Sequence, residues 1–379
     1  MTPKRKKILM VIDNFDPGGA QTLLLDLVRC LDRRKFEIII VSLRKPRAHV
    51  DALADSGARV VVMRGGKYNP LKLFSLVRLI RKERVEVVHT HLMGSRLLGV
   101  IAGRLGGAKK IFSHDHSGDE YLRRKNRLTR WLIYPLDRLL MRFTDRILAV
   151  SKSVAEFNVN YKQIPGEKVL VINNWIDVDR FSPQSNHRGD FRQRWQIPEQ
   201  AFVVGSVGRL SRQKGHCHLV EAASRILPKY PDTIFVVVGE GEERAALVRL
   251  AQDLGVAQAF RLPGFIAEME RVYPVFDLFV LPSLYEPFGL VVLEAMAAGL
   301  PVVASATGGV VEIIEDRGNG LLVPPGDAAA LAKGILYLLE HRDSVAESMA
   351  EQARRLVRTR FDRKGAIDRI AALYLGTNA

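Results

Sequence analysis

A chain of 379 residues, at roughly 100 to 200 residues per domain, predicts two domains with sizeable cores. With 47% hydrophobic and 26% charged residues it fits none of the collagen-like, low-complexity or disordered classes, and Cys30 and Cys217 alone exclude a disulfide framework and fit a reducing cytoplasm. The net charge of +16 is uneven, with 35 lysines and arginines against 18 acidic residues up to Arg180 and 22 against 23 after it, so the first half calls for an anionic partner: a nucleic acid, an acidic leaflet or a phosphorylated substrate.

The basic opening, residues 1–7, leads into an apolar run that stops at Asp13 without a small-residue cleavage site, and it reads as a first strand rather than a secretory signal. Further β-branched runs follow at 38–43, 59–63, 85–91, 109–114, 146–151 and 169–174, separated by stretches of helical periodicity, which is the rhythm of a parallel sheet. The polar stretch 177–198 interrupts it and reads as a linker. A second series of strands is predicted at 201–208, 234–239, 259–264, 278–282, 301–305 and 320–323, and residues 344–375 read as helix broken near Phe361 and Asp362. No stretch reaches the roughly 18 uninterrupted apolar residues of a membrane span. The expected fold class is therefore α/β, two doubly wound sheets whose carboxyl ends border a ligand cleft.

Candidate site residues lie at the predicted strand ends. Gly18 and Gly19 follow the first strand and open a helix over 20–31, where a backbone can approach a phosphate, although the pattern is not that of a nicotinamide-binding loop. The second series opens in a comparable way, with Gly208, Arg209 and Lys214, where a guanidinium fork and a point charge can neutralise a diphosphate. The segment 283–304 is the most specific. Pro287 suits a first helical turn and Gly299 a helix stop, the amides of Gly289 and Leu290 can meet a phosphate, and Glu286 and Glu294 are spaced to accept hydroxyl hydrogen bonds at two places along one ligand.

Within this segment, the order Glu-Pro-Phe-Gly-Leu-x-x-x-Glu-Ala-Met-Ala-x-Gly-x-Pro-Val resembles the signature of the retaining glycosyltransferases of family 4, which have the GT-B fold. The resemblance extends through Gly18 and Gly19, His114, the stretch from Gly208 to Gly215, and Val238 to Gly241. It implies transfer of a sugar from a nucleotide diphosphate donor with retention of configuration, a UDP-sugar ahead of a GDP-sugar, to a glycan or lipid-linked acceptor, with no cofactor and no metal. It implies catalytic roles for His114, Arg209, Lys214 and Glu286, and donor contacts from Gly18, Gly19, Gly208, Gly239, Phe265, Phe288, Gly289, Leu290 and Glu294. In its terms residues 1–182 form the acceptor-side Rossmann-like domain, 183–358 the donor-side domain, and 359–379 a helix that returns to the first. An epimerase of the same fold and a non-catalytic sugar-nucleotide-binding subunit are the alternatives.

Histidines at 89, 91, 114, 116, 216 and 218 stand in i, i+2 pairs, but no spacing completes a recognisable metal site, and hydrogen bonding is preferred, with His116 a rival to His114. Asp177 and Asp179 read as turn chemistry. The stretch 121–146 carries Arg123, Arg124, Lys125, Arg127, Arg130, Arg138, Arg142 and Arg146 beside a stripe of Leu132, Leu136, Leu139, Leu140 and Phe143. The stripe reads as core, and the charge as contact with an anionic leaflet at the cytoplasmic face or with a diphosphate-lipid acceptor, with Trp131 and Tyr134 as interfacial anchors. A nucleic-acid partner is not expected, because aromatics are not interleaved with the charge.

Overall fold

The computed structural model describes residues 5–16, 18–45, 56–63, 65–66, 69–116, 127–182 and 188–377. They form two compact units, one made of Met1–Asn174 with Lys364–Ala379 and the other of Trp175–Arg363.

The first unit is built on the parallel sheet β3-β2-β1-β4-β5-β6-β7, with β1 Lys6–Ile12, β2 Phe36–Ser42, β3 Arg59–Val62, β4 Val87–His91, β5 Lys110–Asp115, β6 Arg146–Ala149 and β7 Val169–Val171. Every residue of β4 is buried, as expected of a central parallel strand covered on both faces. Leu9, Val11, Ile39, Val41, Val88 and Ile111 pack against Leu76, Ile80 and Val100 of the covering helices. The order of strands reverses between β1 and β4, the switch point at which open α/β sheets bind ligands beyond their carboxyl ends.

The second unit repeats the plan as β10-β9-β8-β11-β12-β13, with β8 Phe202–Val207, β9 Thr233–Val238, β10 Phe260–Gly264, β11 Leu278–Leu281, β12 Val302–Ser305 and β13 Leu321–Val323. Its core joins Val204, Phe235, Val237, Leu278 and Val280 to Leu219, Ala223, Ile226 and Ile335. The switch point lies between β8 and β11.

Two expectations are corrected. Much of 177–198 is packed structure rather than a free linker: Phe181, Phe191, Trp195 and Ile197 are buried, and Arg188 and Arg192 both reach Asp277, at 2.6 and 3.1 Å. The units divide at Asn174 and Trp175 instead of at 182 and 183; Trp175 is 2% exposed, and Ile176 bridges to Asp362 of the same unit. Residues 183–187 lie outside those described.

The chain closes with helices Glu347–Arg360 and Arg363–Leu375, broken at Phe361 and Asp362. The last helix buries Ile367, Ile370 and Tyr374. Its C-terminal carbonyls accept from lysines of the first sheet, Lys6 to Tyr374 and Leu375 at 3.2 and 2.9 Å and Lys110 to Leu373 at 3.3 Å, which complements the negative end of the helix dipole.

Candidate functional site

In the second unit the predicted residues gather beyond the carboxyl ends of β8 and β11. A tight turn over Arg212–Lys214 brings Lys214 back toward the sheet, and its ammonium pairs with the carboxylate of Glu286. The hydroxyl of Ser283 donates to the same carboxylate at 3.3 Å. The loops are stitched by Leu284 N–H donating to the Gln213 carbonyl at 2.8 Å and by the Gln213 side chain donating to the Tyr285 carbonyl at 3.1 Å. Arg209 is exposed beside them. At Gly239, which follows β9 with φ 147°, a Cβ would collide with the carbonyl of Gly208, so only glycine lets these two strand ends approach.

The helix Leu290–Ala297 starts from Gly289 in the left-handed region, φ 105°, which turns the chain sharply, and the Val292 and Leu293 N–H groups donate to the Gly289 carbonyl at 2.9 and 3.4 Å. Pro287 therefore lies in the loop before the cap rather than in the first helical turn. Glu294 stands in a different environment from Glu286. It accepts from the hydroxyl of the buried Tyr273 at 2.6 Å, and burial pushes its carboxyl up to about 7, partly offset by that hydrogen bond. One carboxylate is thus matched to a cation and the other to a neutral phenol. Phe265 is 53% exposed just past β10. The side chain of Phe288 is 2% exposed and packs edge-on against Phe361, 5.9 Å between ring centres, so it supports the loop from within.

In the first unit, Gly18 and Gly19 are exposed at the start of the helix Gly19–Cys30, directly after β1. Parallel register sets His91 of β4 opposite His114 of β5, and alternation places His89 and His116 on the same side. The four rings form one cluster: 4.3 Å between His89 and His91, 4.2 Å between His114 and His116, and 5.5 Å between His91 and His114. Burial holds His89, His91 and His114 well below the usual imidazole range and His116 at about 4, so all four are neutral. Tyr374 hydrogen-bonds His89 Nδ1 at 2.6 Å, and His91 Nδ1 lies 3.2 Å from His116 Nε2. His114 is 1% exposed, and both its nitrogens lack a hydrogen-bond partner among the described residues.

Beside the histidines lies a buried charge cluster that sequence reading missed. Arg96 clasps both oxygens of Asp137 at 3.0 Å and reaches Asp115 at 3.3 Å, while Lys162 reaches Asp115 and Asp137 at 3.1 Å each. Two cations and two anions cancel, Asn158 and Ser113 add hydrogen bonds, and the cations hold both carboxyls below the usual range. No local pattern announces it, since the members come from four separate segments. Ser283 and Tyr273, which hold the two glutamates, were likewise passed over.

Residues 121–126, with Arg123, Arg124 and Lys125, lie outside those described, as do the side chains of Arg127, Arg130, Trp131, Leu132 and Tyr134 on the helix Arg127–Arg142. The apolar stripe is core only in part. Leu140 is buried, but Leu136, Leu139 and Phe143 are 46, 48 and 49% exposed, because the buried face is taken by Asp137, Leu140 and Met141. Asp179 opens a short turn, and Arg363 pairs with Asp177 at 2.7 Å, as the turn reading expects. His218 pairs with Glu221 at 3.2 Å. No described helix is long and apolar enough to cross a membrane.

Comparison with known proteins bears on both units. Residues 187–356 match the family Glycosyl transferases group 1, and residues 17–180 match Glycosyltransferase Family 4. The Escherichia coli UDP-Gal:alpha-D-GlcNAc-diphosphoundecaprenol alpha-1,3-galactosyltransferase is 29% identical over 307 residues, covering 80% of this chain and 78% of that protein. The GDP-mannose-dependent alpha-(1-6)-phosphatidylinositol monomannoside mannosyltransferase of Mycobacterium tuberculosis is 28% identical over 360 residues, covering 89% and 90%. Among solved structures, Anabaena HepE in complex with UDP-glucose matches with a TM-score of 0.86 at 24% identity, covering 98% of this chain and 99% of that one. The fold is that of the GT-B structures, two parallel-sheet Rossmann-like domains.

Proposed function

The chain belongs to the glycosyltransferases of family 4 and group 1, and from that premise we propose that it transfers a hexosyl group from a nucleotide diphosphate sugar to a glycan or lipid-linked acceptor with retention of configuration. The observation that carries the reading is the Lys214–Glu286 pair at the switch point of the second sheet, next to Arg209 and the amides that follow Gly289. Breaking the bond between an anomeric carbon and a diphosphate leaves negative charge on the phosphate and positive charge on the sugar. Cations fixed at the leaving group are the largest stabilising influence available to such a site. Lys214 and Arg209 serve the diphosphate, with Gly289 and Leu290 amides on one of its phosphates and Gly18 and Gly19 supplying further contacts. Glu286 holds donor-sugar hydroxyls, Glu294 the ribose hydroxyls, and His114 the transferred sugar. Gly208, Gly239 and Phe265 shape the nucleotide side.

A front-face departure, in which the leaving phosphate takes the acceptor proton, needs no carboxylate nucleophile, and the transfer needs no metal. A UDP-sugar is favoured as donor because UDP appears in the names of the Escherichia coli relative and of the HepE complex, with GDP next by the mycobacterial relative. The positive first half and the exposed Leu136, Leu139 and Phe143 support contact with an anionic membrane surface on the cytoplasmic side, where a lipid-linked acceptor would be met. The test is a thermal-shift series with UDP, GDP, ADP and NAD on the native chain and on Lys214→Ala and Glu294→Ala. A ligand that binds the folded state raises its apparent stability, so a shift with one nucleoside diphosphate that both substitutions weaken supports the reading, and a shift with NAD alone removes it.

A further inference from the structure

His89, His91 and His114 are the one group of possible metal ligands among the described residues, each offering a ring nitrogen within 4.8 Å of the other two. Their hydrogen bonding separates the two nitrogens of each ring. His89 and His91 have Nδ1 engaged, by Tyr374 and by His116 respectively, while the Nε2 of each has no hydrogen-bond partner among the described residues. His114 has neither nitrogen engaged there. A metal-bound imidazole is held in this way, one nitrogen on the ion and the other on an outer partner that fixes ring and tautomer.

We propose that these three imidazoles bind a divalent transition ion of the zinc class, and that the bound ion inhibits the enzyme. Imidazole donors select zinc, cobalt or nickel over magnesium or calcium, which prefer oxygen. Zinc–nitrogen bonds of about 2.0–2.1 Å in a tetrahedron need nitrogens roughly 3.4 Å apart, so the rings must close from their present spacing. Among the described residues no hydrogen bond holds the His114 ring, and its last torsion is broad. Three protein ligands leave a fourth position, which His116, stacked 4.2 Å from His114, or a water can take. Inhibition rests on the functional reading above, because an ion on His114 removes that side chain from the sugar; binding itself does not rest on it.

The experiment titrates metal-stripped protein with Co²⁺ and follows the visible absorption of a tetrahedral cobalt–imidazole centre, which needs no turnover. The native chain develops the bands, zinc displaces them, and His89→Ala and His91→Ala each weaken binding at least tenfold. Tyr374→Phe, which keeps the ring packing and removes the outer partner, weakens it by about 10–100-fold. Absence of the bands, or bands unchanged in both alanine variants while circular dichroism shows them folded, overturns the site. In the activity arm zinc inhibits the native enzyme and spares His89→Ala. Cobalt bands without zinc inhibition overturn the inhibitory role while leaving the site, and a chain that shows the bands but transfers no sugar contradicts only the functional reading.

Discussion

At the scale of single residues, the second unit separates two carboxylates eight positions apart by what each one touches. Glu286 is matched by the Lys214 ammonium, so removing either partner exposes the other's charge. Lys214→Ala takes away a cation at the proposed leaving group, and the expected result is a loss of kcat of about 10²–10³-fold with a smaller change in donor KM, read from steady-state transfer. Glu294 is the opposite case. Its carboxyl is raised in the folded chain to about 7 from an ordinary 4.5, so between those values the unfolded chain has released a proton that the folded chain keeps. Stability therefore falls as pH rises from about 4.5 to 7 and is level above, by up to about 3 kcal/mol from this group. Denaturant unfolding of the native chain and of Glu294→Gln at pH 5 and pH 8 checks it: the native chain loses more stability across the interval than the variant does.

At the scale of elements, the loop after β11 and the end of β5 are each held by contacts that cross the sequence. The charge cluster joins β5, through Asp115, to the helix that carries Asp137 and to Arg96 and Lys162. Taking one partner from a buried ionic network leaves an uncompensated charge, so Asp137→Ala is expected to cost about 3–5 kcal/mol in urea unfolding, against less than 1 kcal/mol for an exposed pair such as Arg355 and Glu351. What was legible in the sequence divides along the same line. Strand positions, the break at Phe361 and the helix stop at Gly299 were readable because they are local, set by β-branched runs and by glycine. The histidine cluster and the charge cluster were not, since strand register decides which distant residues meet. The stretch 177–198 looked like a linker because its prolines and polar residues mask Phe181, Phe191 and Trp195, whose burial only the tertiary structure reveals. The stripe on the basic helix misled in the other direction, since helical spacing marks a face without saying what covers it.

At the scale of the whole molecule, charge and fold point to different tasks. The nearly balanced second unit carries most of the residues proposed for the donor, and the excess positive charge belongs to the first half. Such an excess attracts anionic surfaces over about a Debye length and is screened by salt. Sedimentation with vesicles containing acidic lipid is expected to pull the chain down at low salt and to release it at high salt; no binding at low salt would contradict the membrane contact. The doubled Rossmann-like plan sets a switch point in each unit: Gly18 and Gly19 come after β1 at the first, and Gly208, Arg209, Lys214 and Glu286 come after β8 and β11 at the second.

The central claim is transfer from a nucleotide diphosphate sugar with retention, and the anomer first formed tests it most directly. Proton NMR would follow the chain with a UDP-hexose whose sugar is α-linked and with water or a simple alcohol as acceptor, beside Lys214→Ala. The account predicts release of UDP with the α product appearing first, and near-silence from the variant. A β product appearing first would contradict retention, and donors of every base left intact would contradict the transfer itself.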